Sequence, residues 1–184
     1  MAKVYVITGP PGIGKTTAVL RLVERLRKLG ISVDGFYSVE SREMGQRTGF
    51  YIVDVGTGRR IELASTHGEG IRFGRYRVKV KNVDEAVPSI LSRALQYSDV
   101  IVVDEIGPME LFSGSFRRAV EGLLSSSKIV VAVVHRSFSH DLMKSYRNSA
   151  AQIIEVSESN RDAIPEVLAR RIAEDLGLKE LNSG

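Results

Sequence analysis

The sequence predicts an α/β fold: a mostly parallel sheet sandwiched by helices, with an antiparallel hairpin insertion at about residues 34–81. Three observations carry that expectation. Short runs such as Val100–Val103 and Ile129–Val134 are apolar at every position, as strands covered on both faces require. Segments with apolar residues at helical spacing alternate with these runs, which implies right-handed crossovers between parallel strands. Between 34 and 81 that rhythm stops, and glycine-bearing turns separate short strand-like stretches.

The elements follow in order. Lys3–Thr8 is a β-branched and aromatic run that stops at glycine, a strand buried on both faces. Ala18, Val19, Leu22, Val23, Leu26 and Leu29 recur at helical spacing, and Gly30 supplies the stop. In the insertion, Phe36–Glu40, Phe50–Val55, Arg60–Ala64 and Arg75–Lys81 read as strands, joined by turns such as Gly56-Thr-Gly58. Within the last of these, Arg75, Arg77, Lys79 and Lys81 alternate with Tyr76, Val78 and Val80, giving one cationic and one apolar face. Val87, Ile90, Leu91, Ala94 and Leu95 mark a helix whose first turn Pro88 leaves undefined. Val100–Val103 is a strand ending at Asp104-Glu105, and Phe116, Val120, Leu123 and Leu124 mark the next helix. Ile129–Val134 is a strand, a shorter helix spans about 139–146, and Ala151–Val156 is a further strand. Ile164, Val167, Leu168, Ile172 and Leu176 line the closing helix, after which Glu180–Gly184 is expected to fray.

With 184 residues and no repeat, linker or low-complexity tract, residues 1–184 read as a single domain. Hydrophobic residues at 43% and charged residues at 26% exclude disorder as the main state. The absence of cysteine excludes disulfides and thiolate-held zinc or iron–sulfur sites, and fits a reducing cytoplasm. No signal-like segment and no apolar run of about 18–20 residues is present, so a soluble cytoplasmic protein without a membrane partner is expected. A net charge of +4 is too small to make nucleic acid the default partner. A monomer is expected. His135 and His140 lie five apart, a spacing that does not place two metal ligands on one helix face.

Gly9-Pro10-Pro11-Gly12-Ile13-Gly14-Lys15-Thr16 fits G-x-x-x-x-G-K-[ST], followed by Thr17, and lies between a strand and a helix. The glycines let backbone N–H groups turn inward toward phosphate oxygens, and the helix beginning there adds its positive end. Lys15 reaches the β- and γ-phosphates, and the Thr16 hydroxyl is a magnesium ligand. Asp104 and Glu105 end a buried strand whose carboxyl end lies beside that loop. Asp104 suits magnesium, and Glu105 suits orienting or deprotonating the attacking water. A P-loop NTPase acting on Mg²⁺-bound nucleoside triphosphates is therefore expected.

Taken together, Gly9–Thr17, Asp104-Glu105-Ile106-Gly107-Pro108-Met109-Glu110-Leu111 and Asn160-Arg161-Asp162 resemble the nucleoside-triphosphatase family shared by thermophilic microbes and animals. Gly35-Phe-Tyr, Thr48–Asp54 and Gly74-Arg-Tyr in the insertion are similar to it as well. The resemblance implies a RecA-like P-loop fold with an additional strand, and slow hydrolysis of ATP, GTP, CTP and UTP to diphosphate and phosphate. It also implies that Glu105 is the base and that Asp104 holds magnesium. Ile106 and Gly107 join the nucleotide-binding set through that motif.

Other candidates rest on position. His135 follows a strand whose end faces the phosphates and is read either as a γ-phosphate sensor or as a plain strand-end histidine. Arg136 and Arg147 are candidate cations for the developing charge, or solvated side chains. Asn160 and Arg161 follow the last strand, where loops wrap the base; Asn160 is equally suited to capping the final helix. Glu110 supports the acids or makes a helix-start contact. The cationic face of Arg75–Lys81 is read as solvated, with nucleic-acid tracking as its alternative.

Two other functions share the loop. A P-loop kinase passing the γ-phosphate to a nucleotide or small metabolite would use His140–Arg147 as a lid, although Glu105 favours water as acceptor. A nucleotide-dependent switch would dock a partner on the insertion.

Overall fold

The structure is a computed structural model that describes residues 1–178. The expectation that Glu180–Gly184 frays lies outside the described residues. Strands and helices run β1 (Lys3–Thr8), α1 (Lys15–Lys28), β2 (Val33–Glu43), β3 (Gln46–Asp54), β4 (Arg60–Ser65), β5 (Ile71–Phe73), β6 (Tyr76–Val78), α2 (Val80–Tyr97) and β7 (Val100–Ile106). They continue α3 (Gly114–Leu123), β8 (Ile129–Val134), α4 (Asp141–Ser149), β9 (Ala150–Glu155) and α5 (Ile164–Asp175), with a 3₁₀ turn at Glu110–Phe112 before α3.

Among the described residues nine strands form one sheet in the order β5-β6-β4-β3-β2-β7-β8-β1-β9. From β2 to β9 every neighbour is parallel, and from β2 to β5 every neighbour is antiparallel. β2 belongs to both halves: Val33–Phe36 pairs with β7, and Phe36–Glu43 continues outward to pair with β3. β8 is the additional strand, lying between β1 and β7, the two strands that end in the phosphate-loop and acidic motifs.

Alternation along the strands builds one core on each face. Val4 and Val6 of β1 join Ile101, Val103, Val130 and Ala132 beneath α2, α3 and α4. Tyr5 and Ile7 join Val100, Val102, Val131 and Val133 beneath α1 and α5. The predicted stop of α1 is a Schellman end: Gly30 has φ 77°, its N–H donates to Arg27, and the Ile31 N–H donates to Leu26.

The stretch Arg75–Lys81 is not one strand. β6 ends at Val78 and α2 begins at Val80, so Lys81 lies on a helix. Lys79 turns away from any shared cationic face: its Nζ donates to the carbonyls of Glu69 and His67, and Glu62 lies 3.8 Å away. Lysine alternating with valine mimics a strand, but three residues of pairing with β4 and β5 exhaust the ladder here. Pro88 sits inside α2 rather than at its start, so the helix begins two turns before the position that proline suggests. α4 runs Asp141–Ser149, later than predicted, because the His140 ring accepts the Leu142 N–H and caps it.

Arg93 of α2 clamps the two halves of the sheet. Its Nε donates to Asp34 at 2.7 Å and its Nη2 to Asp54 at 2.5 Å, tying β2 to the end of β3.

Candidate active site

The parallel strands all point their carboxyl ends to one edge, where such sheets bind ligands. A cavity of about 710 Å³ opens there. β1 delivers the loop Gly9–Gly14, and Gly14, at φ 110°, sets the entry into α1. The first N–H groups of α1 and its positive dipole end therefore face the cavity. Lys15 Nζ curls over the loop, donating to the carbonyls of Gly9 at 2.8 Å and Pro10 at 3.0 Å. One residue on, Thr16 Oγ1 donates to Asp104 Oδ2 at 2.8 Å.

Adjacent residues of a regular strand point to opposite faces, yet Asp104 and Glu105 both line the cavity. A bulge reconciles the two. Asp104 registers with Val133 and Ile106 with Val134, so Glu105 is an inserted residue that re-aims its side chain. Ser38 of β2 donates to the Asp104 carbonyl at 3.0 Å, fixing the backbone on the other side. Gly107 leaves room for the acids: a Cβ there would lie 2.8 Å from the Glu105 carboxylate and 2.9 Å from that of Glu110, and both would have to shift.

Glu110 joins the two acids from the 3₁₀ turn and is 2% exposed, as is Asp104. Burial pushes Asp104 up to about 7, against the Thr16 hydrogen bond and Lys15 that pull it down. Burial raises Glu105 above its ordinary range, with Lys15 opposing. Burial and then repulsion by Glu105 push Glu110 well above the usual carboxylate range.

β8 places His135 between the loop and the acids. Its Nδ1 accepts the N–H groups of Ser137 at 3.2 Å and Phe138 at 3.1 Å. A ring that accepts at Nδ1 carries its proton on Nε2. Arg147 Nη2 donates to the His135 carbonyl at 2.9 Å, and Arg136 pairs with Glu155 at 3.2 Å.

Of the residues singled out in the sequence as site candidates, Gly9, Pro11, Gly12, Gly14, Lys15, Thr16, Thr17, Asp104, Glu105, Glu110, His135 and Arg136 line this one cavity. Pro10 and Ile13 contribute carbonyls, to Lys15 and Arg161 respectively. Ile106 does not reach it: its side chain is fully buried in the core, because the bulge returns it to the inner face. Gly107 serves the carboxylates rather than the cavity wall. Asn160 neither caps α5 nor faces the cavity. Its side chain accepts the Ser157 N–H at 2.8 Å and donates to the Glu155 carbonyl at 2.8 Å, bracing the loop. Arg161 crosses to the phosphate loop, where its Nη1 reaches the Ile13 carbonyl at 3.2 Å. Ser38, Glu40, Arg42, Arg47, Phe50, Phe73 and Tyr76 of the insertion also line the cavity. Phe50 and Tyr76 fall in stretches that the family resemblance picks out, but no motif marks the others, and sheet pairing brings them all to one wall.

A glycine loop opening a helix, with a carboxylate bound to the loop's threonine, defines a P-loop nucleoside-triphosphate-handling protein. A family model described as NTPase matches residues 4–169. The nucleoside-triphosphatase THEP1 of Methanosarcina acetivorans is 40% identical over 172 residues, covering 93% of this chain and 97% of that one. That of Methanothermobacter thermautotrophicus is 47% identical over 138 residues, covering 75% and 79%. The crystal structure of THEP1 from Aquifex aeolicus superposes with TM-score 0.81 at 35% identity, covering 92% and 98%. A human cancer-related nucleoside triphosphatase does so with TM-score 0.80 at 32% identity, covering 94% and 98%. The chain belongs to this nucleoside-triphosphatase family.

Proposed function

We propose that the protein hydrolyses nucleoside triphosphates to diphosphate and phosphate, slowly and with little regard for the base, in a Mg²⁺-dependent reaction. The observation that carries this reading is the 2.8 Å bond from Thr16 to Asp104 beside Lys15 and Glu105 in one cavity. Thr16 and Asp104 offer two hard oxygen donors side by side, the donor set that magnesium takes together with phosphate oxygens and water. When bound, the ion neutralises charge building on the β- and γ-oxygens.

The chain's own groups do the rest. The N–H groups of Gly12–Thr17 cradle the phosphates, and Lys15 leaves the Gly9 and Pro10 carbonyls for the β- and γ-oxygens. Glu105 orients a water in line with the β–γ bond and takes its proton, which its raised proton affinity favours. His135 presents Nε2–H to the γ-phosphate. Arg161, anchored on Ile13, flanks the base. Arg147 acts through His135, as a positioning residue rather than an arginine finger. The name of the relatives and the placement of Glu105 favour water over a kinase acceptor.

No helix among the described residues is long and apolar enough to cross a membrane. The protein acts as a monomeric cytoplasmic domain spanning 1–184, without nucleic acid. Phosphate release from ATP, GTP, CTP and UTP, with Mg²⁺ and with chelator, tests this reading. Release from several triphosphates that stops on chelation supports it; release from one base alone, or in chelator, contradicts it.

A further inference from the structure

The order of the strands divides the cavity into two halves. Along the carboxyl edge come Arg161 after β9, the phosphate loop after β1, His135 after β8, and the acids ending β7. Beyond the acids the wall passes to the insertion, to β2, β3, β5 and β6. A triphosphate whose base lies at Arg161 points its γ-end at Glu105, and the insertion half lies past that end. This half has its own chemistry.

Arg42 and Arg47 are register partners across the β2–β3 hairpin, a placement where like charges repel. Glu40 holds both, accepting from Arg42 Nη2 at 2.9 Å and from Arg47 Nη1 at 3.0 Å. One carboxylate facing two guanidiniums leaves a net positive charge at the wall. A tight turn at Met44-Gly45, both at positive φ, closes this hairpin. Beside the arginines stand aromatic faces. Phe50 packs edge-to-face on Tyr76 with centroids 5.2 Å apart, and Arg47 lies 5.4 Å over the Phe50 ring. Phe73 also lines the cavity; it packs edge-to-face on Phe112 with centroids 5.9 Å apart and stays 37% exposed, so part of its ring remains open.

We propose that the insertion half of the cavity is a second ligand site, for a nucleoside monophosphate: its phosphate on Arg42 and Arg47, its base against Phe50 and Phe73. Guanidiniums recognise a phosphate's planar pairs of oxygens, and exposed aromatic faces stack a base. The inference rests on the reading that the phosphate loop holds a triphosphate with its γ-end toward Glu105.

Calorimetric titration of AMP, GMP, CMP and UMP into protein already saturated with Mg²⁺ and a non-hydrolysable triphosphate tests it. One monophosphate is expected to bind one-to-one, and Arg47→Ala to weaken it at least about tenfold. Arg47 is exposed, so that variant is expected to fold; Phe50→Ala, judged folded by circular dichroism, should weaken it comparably. No saturable binding at millimolar concentration, or binding that both variants leave intact, overturns the proposal. So does inorganic phosphate binding as tightly as the monophosphate, or a single-stranded oligonucleotide binding more tightly. Hydrolysis of triphosphate by the same preparation, measured in parallel, separates the two readings. Turnover without a second isotherm defeats only the second site, whereas absence of turnover defeats the hydrolase.

Discussion

Thr16 and Asp104 are 88 residues apart in sequence, yet the threonine hydroxyl donates to the aspartate carboxylate across 2.8 Å. That bond joins the first turn of α1 to the end of β7 and fixes the spacing between phosphate loop and acids. Thr16→Val removes the hydroxyl and should cut Mg²⁺-dependent turnover about a hundredfold or more, while Thr16→Ser should keep most of it. Asp104→Asn should raise the Mg²⁺ concentration for half-maximal rate by about tenfold or more. Phosphate release against Mg²⁺ concentration reads both.

Glu110 is buried beside Glu105, and its proton affinity is raised by burial first and by that neighbour second. An acid whose folded-state value lies above its unfolded value, 4.5, binds a proton more tightly in the folded protein. Its contribution to stability is therefore full below the unfolded value and lost as pH rises toward the folded one. Asp104, pushed up to about 7, adds a loss of the same sign. Glu110→Gln should match the parent in acid and exceed it increasingly as pH rises through neutrality. Urea denaturation at a series of pH values measures the difference.

Arg93 opposes the opposite case. Burial acts to raise Asp54, but bonds from Arg93, Thr57 and Gly56 outweigh it and hold the carboxyl below its ordinary 3.8. That stability is present above the ordinary value and lost as acid titrates the folded carboxyl. Arg93→Ala leaves Asp34 and Asp54 buried without their cation. The cost should be about 3 kcal/mol, the low end for a buried pair, because the Arg93 side chain is 34% exposed and partly screened. In this variant stability should instead improve on mild acidification. Denaturant midpoints near pH 5 and pH 8 decide it.

Arg161 is tethered to the Ile13 carbonyl and flanks the loop from the β9 side. Arg161→Ala should change the ratios of KM among the four triphosphates more than it changes kcat. Steady-state kinetics with each nucleotide checks this, and equal KM shifts for all four bases would remove Arg161 from base recognition.

The phosphate loop was legible because it is local: eight consecutive residues set the turn, the helix start and the cation. β7 and its terminal acids were legible for the same reason. The bulge at Glu105 was not, since register against β8 decides it and nothing in Val100–Ile106 announces an inserted residue. Lys79 and Lys81 read as strand because side-chain alternation is blind to carbonyls contributed by Glu69 and His67. β5, three exposed residues, is too short for any pattern, and its Phe73 enters the cavity only through pairing with β6. Phe50 and Tyr76 lie in stretches the family resemblance picks out, but their meeting on one wall with Phe73 is a product of strand pairing.

The proposed hydrolysis turns on Glu105. Replacing its carboxylate by an amide keeps the shape and removes the proton acceptor. Phosphate release and equilibrium binding of Mg²⁺-bound nucleotide, measured side by side on Glu105→Gln and the parent, are predicted to show retained affinity with turnover lowered at least about a hundredfold. Turnover equal to the parent's, with nucleotide bound equally well, would contradict the assignment of Glu105 as the base.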